Sequence, residues 1–381
     1  MTITDGLCPA SPDSRKKPPE PPTARPHYSI RRHPHFTGAL YTEDLGLRIR
    51  PGRTKTGSAN VAAANRGASI FHNRDIVTAM LTRRDFMWAP VALSLTPTVR
   101  AQSAATGKML LSMHQNTSRA AGYRGSLEGW ARAGIKYVEL NFPLLSEFLE
   151  GDTLPAAGRV LTDLGLTPVS GAIVLPDIWL PGPARAESLE TWRRGCDQLA
   201  SIGLRKVYSA SITRRPVTAD DFAATPNSIR EVGEIASEYD LTAMIEFTRT
   251  STHLATLTSA LQVIREAAHP NVKPMLDFFH FWSGLSKFED LDLLEPGELA
   301  HAHFQDLLDT PRELINNDSR IIPGDGIAPV VRILQKLAEK AYRGALSVEL
   351  FRADFVQGDP FAVGTEIRTK CERVMTEADV L

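Results

Sequence analysis

Val272-Lys-Pro-Met-Leu-Asp277-Phe-Phe-His280 is an apolar run that stops at a carboxylate, and three other stretches likewise stop at a carboxylate or an imidazole. They are Leu241-Thr-Ala-Met-Ile-Glu246-Phe247, Glu298-Leu-Ala-His301-Ala-His303-Phe304 and Gly344-Ala-Leu-Ser-Val-Glu349-Leu-Phe351. Short runs of this kind read as buried strands of a parallel sheet. A carboxylate at the end of such a strand is expensive to bury unless something compensates it. Glu246, Asp277, His303 and Glu349 therefore read together as one metal site. Singly, each has a plainer reading: a strand-end Glu salt-bridged to a helix, or a hydrogen-bonded core His.

Three carboxylates and one imidazole make a hard, oxygen-rich donor set. It suits Mn, Mg or Co, accommodates Zn, and lacks the thiolates of a structural zinc site. The expectation is one divalent metal ion in a catalytic role.

Outward from these runs, four more strand-like segments precede them: Leu110 to His114, Lys136 to Leu140, Thr167 to Ile173 and Arg205 to Ala210. Helical patterns lie between, such as Ser188 to Gly203 with a Ser cap and a closing Gly, and Ala328 to Ala341 before Arg343-Gly344. Eight strand and helix units predict an α/β fold, a (β/α)8 TIM barrel over residues 102–381. A doubly wound open sheet is the competitor, but no Gly-rich phosphate turn follows an early strand. In a barrel the strand ends gather at one face, so ligands far apart in sequence can meet.

The first 101 residues differ in character, with 15 Lys and Arg against 7 Asp and Glu, and stretches such as Lys16-Lys17-Pro18-Pro19. Residues 1–79 read as a disordered or mis-assigned N-terminal extension. Residues 80–101 resemble a twin-arginine signal peptide: Arg83-Arg84-Asp85-Phe86-Met87, an apolar run from Trp88 to Val99, then Val99-Arg100-Ala101. The alternative is a basic loop before a short buried helix interrupted by Pro90 and Pro97. The expected location is periplasmic or exported, and cytoplasmic if the signal is not used.

Residues 102–381 carry 28 basic and 37 acidic side chains, a net charge of −9, which argues against nucleic acid as a partner. Cys196 and Cys371 sit in helical patterns, so neither a disulfide framework nor a thiolate zinc site is implied. No apolar run is long enough for membrane insertion.

The C-terminal third carries a recognisable combination. Leu276-Asp277-Phe-Phe-His280-Phe281 is followed by His303 with Asp306, by Arg320-Ile-Ile-Pro323-Gly324-Asp-Gly326, and by Ser347-Val-Glu349-Leu-Phe351-Arg352. This resembles the xylose isomerase-like sugar isomerase and epimerase superfamily, with the inosose isomerases (2-keto-myo-inositol isomerases) most similar over residues 240–360. Upstream of 240 only the general strand and helix spacing is shared.

The resemblance implies that Glu246, Asp277, His303 and Glu349 hold the metal, that His280 and Arg320 face substrate oxygens, and that His301 and Asp306 support the ligands. It implies an isomerase acting on a small sugar or polyol, moving a carbonyl to the adjacent carbon through an enediolate that the metal stabilises. Glu246 or Glu349 would shuttle the proton, with His280 donating to the enediolate oxygen and Arg320 fixing distal hydroxyls. Epimerases of the superfamily carry a second acidic residue soon after the first Glu. Here that stretch is Thr248-Arg-Thr-Ser-Thr-His253, which disfavours ketose 3-epimerase activity. A hydroxypyruvate-type isomerase, a dehydratase and a non-catalytic exported sugar-binding barrel remain alternatives.

His114, Asn116, Glu139 and Lys206 also fall near strand ends, but each is equally well explained as barrel-bottom or loop polarity. Phe279, Phe281, Trp282 and Phe351 could wall a sugar ring or simply pack. The segment between Asp306 and Arg320 could shape the pocket mouth.

Overall fold

A computed structural model describes residues 108–381. The expected extension and export signal, residues 1–79 and 80–101, lie outside the described residues.

Ten strands follow in chain order: β1 Leu110–His114, β2 Tyr137–Asn141, β3 Thr167–Ala172, β4 Lys206–Ala210, β5 Thr242–Glu246, β6 Val272–Asp277, β7 His301–His303, β8 Asp306–Leu307, β9 Arg320–Ile321 and β10 Ala345–Val348. Eight of them close a parallel barrel in the order β1-β10-β7-β6-β5-β4-β3-β2, so the expected (β/α)8 barrel is the observed one. The other two, β8 and β9, form a small antiparallel ribbon.

Side chains alternate across a strand, and here the alternation separates two environments. Met113, Val138, Leu140, Val207, Ala243, Ile245, Leu276, Ala302, Leu346 and Val348 join the large apolar core shared with the surrounding helices. The intervening positions enter the lumen. Only a small apolar group of Ala172, Tyr208, Met244 and Met275 packs there. Stepping two residues from Met244 gives Glu246, from Met275 gives Asp277, and from Ser347 gives Glu349. A lumen lined with polar groups departs from the branched aliphatic filling usual in these barrels, and it is what aims the candidate ligands inward.

The helices hold this frame by their apolar faces. In Val330–Glu339, Val330, Ile333, Leu334 and Leu337 are buried, at the i, i+3, i+4, i+7 spacing of one helix face. Each contributes about 2 kcal/mol by leaving water. This helix is shorter at both ends than the Ala328–Ala341 expected. The helix expected from Ser188 instead runs Arg185–Ser201, with no side-chain cap at Ala184. Ser188 lies inside it and its hydroxyl donates to Pro176 O, 3.4 Å away. Gly203, at φ +99°, makes the left-handed step after this helix.

Among the described residues no helix is long and apolar enough to cross a membrane. Cys196 and Cys371 are both buried and unpaired by disulfide.

Candidate metal centre

Glu246, Asp277 and His303 end β5, β6 and β7, and Glu349 stands one residue past β10. Asp277 and His303 are register partners, as are His303 and Ser347. The barrel thereby brings one donor atom from each of the four residues to within 4.8 Å of the others, all buried. Donors about 2.1 Å from one ion stand at most roughly 4.2 Å apart, so a small contraction would close this cluster around a cation.

His303 Nδ1 is the hub. It lies 3.2 Å from Glu246 Oε1, 3.3 Å from Asp277 Oδ2 and 3.4 Å from Glu349 Oε2. One ring nitrogen carries at most one proton, so it cannot satisfy three carboxylate oxygens. Glu246 Oε1 takes no well-directed hydrogen bond from any described residue. Excess buried acceptors around one nitrogen fit a divalent cation, as does the donor set itself.

The three carboxylates are held differently. Asp277 Oδ1 caps the helix Phe278–Ser283 by accepting His280 N at 2.7 Å. Its Oδ2 accepts from Gln305 Nε2 at 2.7 Å and from Arg320 Nη1 at 2.5 Å. Glu349 Oε1 accepts from Asn116 Nδ2 at 2.9 Å, and Oε2 from Arg320 Nη1 at 3.1 Å.

Their acidities diverge accordingly. Burial pushes the Glu246 carboxyl up to about 7, with His303 opposing and Asp277 and Glu349 adding to it. Burial also works against ionising Asp277, but Arg320, His280 and His303 outweigh it and hold the group well below the usual range. Glu349 is lowered too, as His303, His114 and Arg320 overcome its burial.

Arg320 is buried in the ribbon strand β9, with its guanidinium over Phe279 at 4.4 Å and Phe351 at 5.2 Å. Its Nη2 lies 3.0 Å from His280 Nε2. Burial drops His280 to about 4 despite Asp277, so its imidazole is neutral near pH 7. The structure thus places Arg320 and His280 beside the carboxylates and against each other. Two of the aromatics considered as a sugar wall, Phe279 and Phe351, sandwich this guanidinium. Phe281 belongs to the main core, and Trp282 packs with Phe279, Leu307 and Ile315.

The segment between Asp306 and Arg320 folds back as the β8–β9 ribbon and sets Arg320 in place. Arg249 ties it down by donating to Ile315 O at 3.1 Å, Arg312 O at 3.4 Å and Ser283 O at 3.4 Å. Asp306 does not support the ligands directly. It accepts the backbone N–H groups of Leu307, Gly324, Gly326 and Ala328 and so organises the turn after β9. A Cβ on Gly326 would collide with Leu307 O and the Asp306 carboxylate, which is why glycine stands there.

Three of the four residues set aside as incidental polarity belong to the site. His114 Nδ1 is 3.7 Å from Glu349 Oε1, and its Nε2 is 3.2 Å from Tyr208 Oη. Asn116 holds Glu349 and is itself held by Asn141 Nδ2 at 3.0 Å. Glu139 Oε2 meets His301 Nε2 at 2.9 Å and His303 Nε2 at 3.2 Å. Lys206 alone stays apart, donating to Ala300 O just before β7. Glu139 had a signal: Tyr137-Val-Glu139-Leu repeats the form of Ser347-Val-Glu349-Leu. Gln305 and Tyr208 carried none.

Comparison with known proteins agrees with the barrel fold. An inosose isomerase of Halalkalibacterium halodurans is 31% identical over 132 residues, covering 34% of this chain and 47% of that protein, so the match spans about half of the relative's length. An inosose isomerase of Bacillus licheniformis is 24% identical over 233 residues, covering 60% of this chain and 84% of that protein. The crystal structure of the IOLI protein with a bound zinc atom superposes with a TM-score of 0.66 at 20% identity, covering 71% of this chain and 99% of that one. The sequence pattern of the family described as "xylose isomerase-like TIM barrel" matches residues 127–371. The chain belongs to the xylose isomerase-like TIM barrel family.

Proposed function

We propose that this protein is a divalent-metal-dependent isomerase of unphosphorylated polyols and sugars, inosose-type ketones foremost, that moves a carbonyl to the adjacent carbon. One observation carries the reading: four buried donors from four strand ends converge so that three carboxylates surround a single imidazole nitrogen. The inosose isomerase relatives supply the substrate class. A divalent ion held by Glu246, Asp277, His303 and Glu349 would polarise a carbonyl with its neighbouring hydroxyl and acidify the C–H beside them.

Glu246 is the proton carrier. Its Oε1 takes no hydrogen bond from any described residue, so it is the least committed of the three carboxylates and can serve the ion through one oxygen and a substrate proton through the other. It removes the proton from the carbinol carbon and returns it to the former carbonyl carbon. The hydroxyl proton passes from one oxygen to the other, so substrate and product keep one composition. Glu349 is less suited, because Asn116 and Arg320 bond to its two oxygens and favour the ionised form. Arg320, fixed between Phe279 and Phe351, supplies positive charge beside the developing enediolate, with the neutral His280 next to it.

The test is turnover of inososes, free ketoses and hydroxypyruvate by the metal-supplemented full chain, with products identified. Glu246→Gln is expected to lower turnover by roughly 10²–10⁴-fold while the chain stays folded. Full turnover by that variant would remove Glu246 from the role. Inverted stereochemistry or loss of water in the product would replace the isomerase by an epimerase or a dehydratase.

A further inference from the structure

Glu139 is a fully buried carboxylate in the middle of β2, facing the lumen rather than the mouth. Among the described residues no Arg or Lys forms a hydrogen bond or ion pair with it; two imidazoles of β7 converge on its Oε2 instead, His301 Nε2 at 2.9 Å and His303 Nε2 at 3.2 Å. Burying a carboxylate without full compensation is costly, and its Oε1 has no partner among the described residues. For both imidazoles to donate to one oxygen, each must carry a proton on Nε2. His301 agrees, since its Nδ1 is left without a partner. For His303 the consequence reaches the metal centre. With the proton on Nε2, Nδ1 is free to offer its lone pair where Glu246, Asp277 and Glu349 gather, 3.2 to 3.4 Å away. A lone pair on Nε2 would instead face the oxygen of Glu139.

Resting on the metal-centre reading above, we propose that Glu139 is a positioning residue: it locks His303 in the Nε2–H tautomer, aims Nδ1 at the ion, and strengthens the imidazole as a donor through its negative charge. Carboxylates placed behind ligating histidines act in this way, and their loss weakens metal binding by about 10–100-fold. His301, bound to the same oxygen, keeps the Glu139 carboxylate from turning away.

Zinc is the probe, because it is diamagnetic and its affinity is measurable by chelator competition. In the zinc-loaded full chain with ¹⁵N-labelled histidine, long-range ¹H–¹⁵N correlations should place the His303 proton on Nε2. Glu139→Gln should keep the fold by circular dichroism and weaken zinc by about 10-fold or more. A merely structural Glu139 would lower the melting temperature and leave zinc affinity unchanged, which overturns the proposal. A proton on Nδ1, or zinc on Nε2, overturns it even if the variant does not fold. Asp277→Asn separates the two layers. If the parent binds no zinc, or binds it equally well after Asp277→Asn, the metal reading and this inference both fall. If Asp277→Asn abolishes binding while Glu139→Gln binds like the parent, only this inference falls.

Discussion

Replacing Arg320 by Met tests how the buried charge of the centre is balanced. The guanidinium bonds Asp277 Oδ2 at 2.5 Å and Glu349 Oε2 at 3.1 Å, and it is stacked between two aromatic rings. Met keeps most of the volume and none of the charge. Removing one partner of a buried ion pair costs about 3–5 kcal/mol, and losing the aromatic contacts adds about 1 kcal/mol. Protonation of Asp277 or Glu349 limits the loss, since a stranded carboxylate neutralises itself. The expected destabilisation without metal is therefore about 4 kcal/mol near pH 7. At roughly 2–4 °C per kcal/mol for a domain of this size, the melting temperature should fall by about 8–16 °C. A divalent cation supplies the missing charge, so zinc or Mn should raise the melting temperature of Arg320→Met more than that of the parent. The assay is thermal unfolding of both chains in chelator and in metal. A loss under about 1 kcal/mol in chelator, or equal stabilisation of both chains by metal, would refute this account of the charge balance.

Two further predictions concern the frame. His253 donates from Nε2 to Thr225 Oγ1 at 2.9 Å, because that hydroxyl already donates to Asp221 O, and burial lowers its pKa to about 4 against a small opposing pull from Asp221. The folded pKa lies below the ordinary value near 6.5, so the unfolded chain takes up the proton first as pH falls. The contribution is complete above about pH 6.5 and is lost through the window down to about 4, at most roughly 3 kcal/mol. In urea unfolding, the stability gap between the parent and His253→Gln should shift by about 2 kcal/mol in favour of the variant between pH 7.5 and pH 5, and a constant gap would sink the assignment. Asp306→Ala strands four backbone N–H groups at about 1 kcal/mol each. It should cost roughly 4 kcal/mol in the same assay and lower turnover by loosening β9 under Arg320; unchanged stability would mean water replaces the carboxylate.

Much of the barrel was legible in the amino-acid order, since strand and helix periods are local properties. Most strand starts and ends fell within a residue or so of the expected ones, β7 starting three residues later at His301, and the four donors were visible because an ionisable group closing an apolar run is costly anywhere. Helix ends were read less well. Ser188 looked like a cap by residue type, yet the chain enters that helix at Ala184 and the Ser hydroxyl turns to Pro176 O. The family resemblance implied that Asp306 supports the ligands, yet the ribbon directs it to the turn at Gly324 and Gly326.

Glu139 marks the boundary between the two kinds of information. Its run announced a buried strand, and nothing local said what its carboxylate would meet. β2 pairs with β1 and β3 and never touches β7 along the sheet. Glu139 and His303 come together only across the lumen, 164 positions apart, once closure and shear bring their inward-facing side chains together. Asn116 and Arg320 reach Glu349 by other routes, Asn116 because β1 pairs with β10 and Arg320 from the β8–β9 ribbon. The chain's own order specifies strands, a polar lumen and the chemical type of the donors, because those follow from period and burial. Which oxygen each nitrogen meets, and so which carboxylate is tied by Asn116 and Arg320 and which keeps an oxygen without a partner among the described residues, follows from barrel closure.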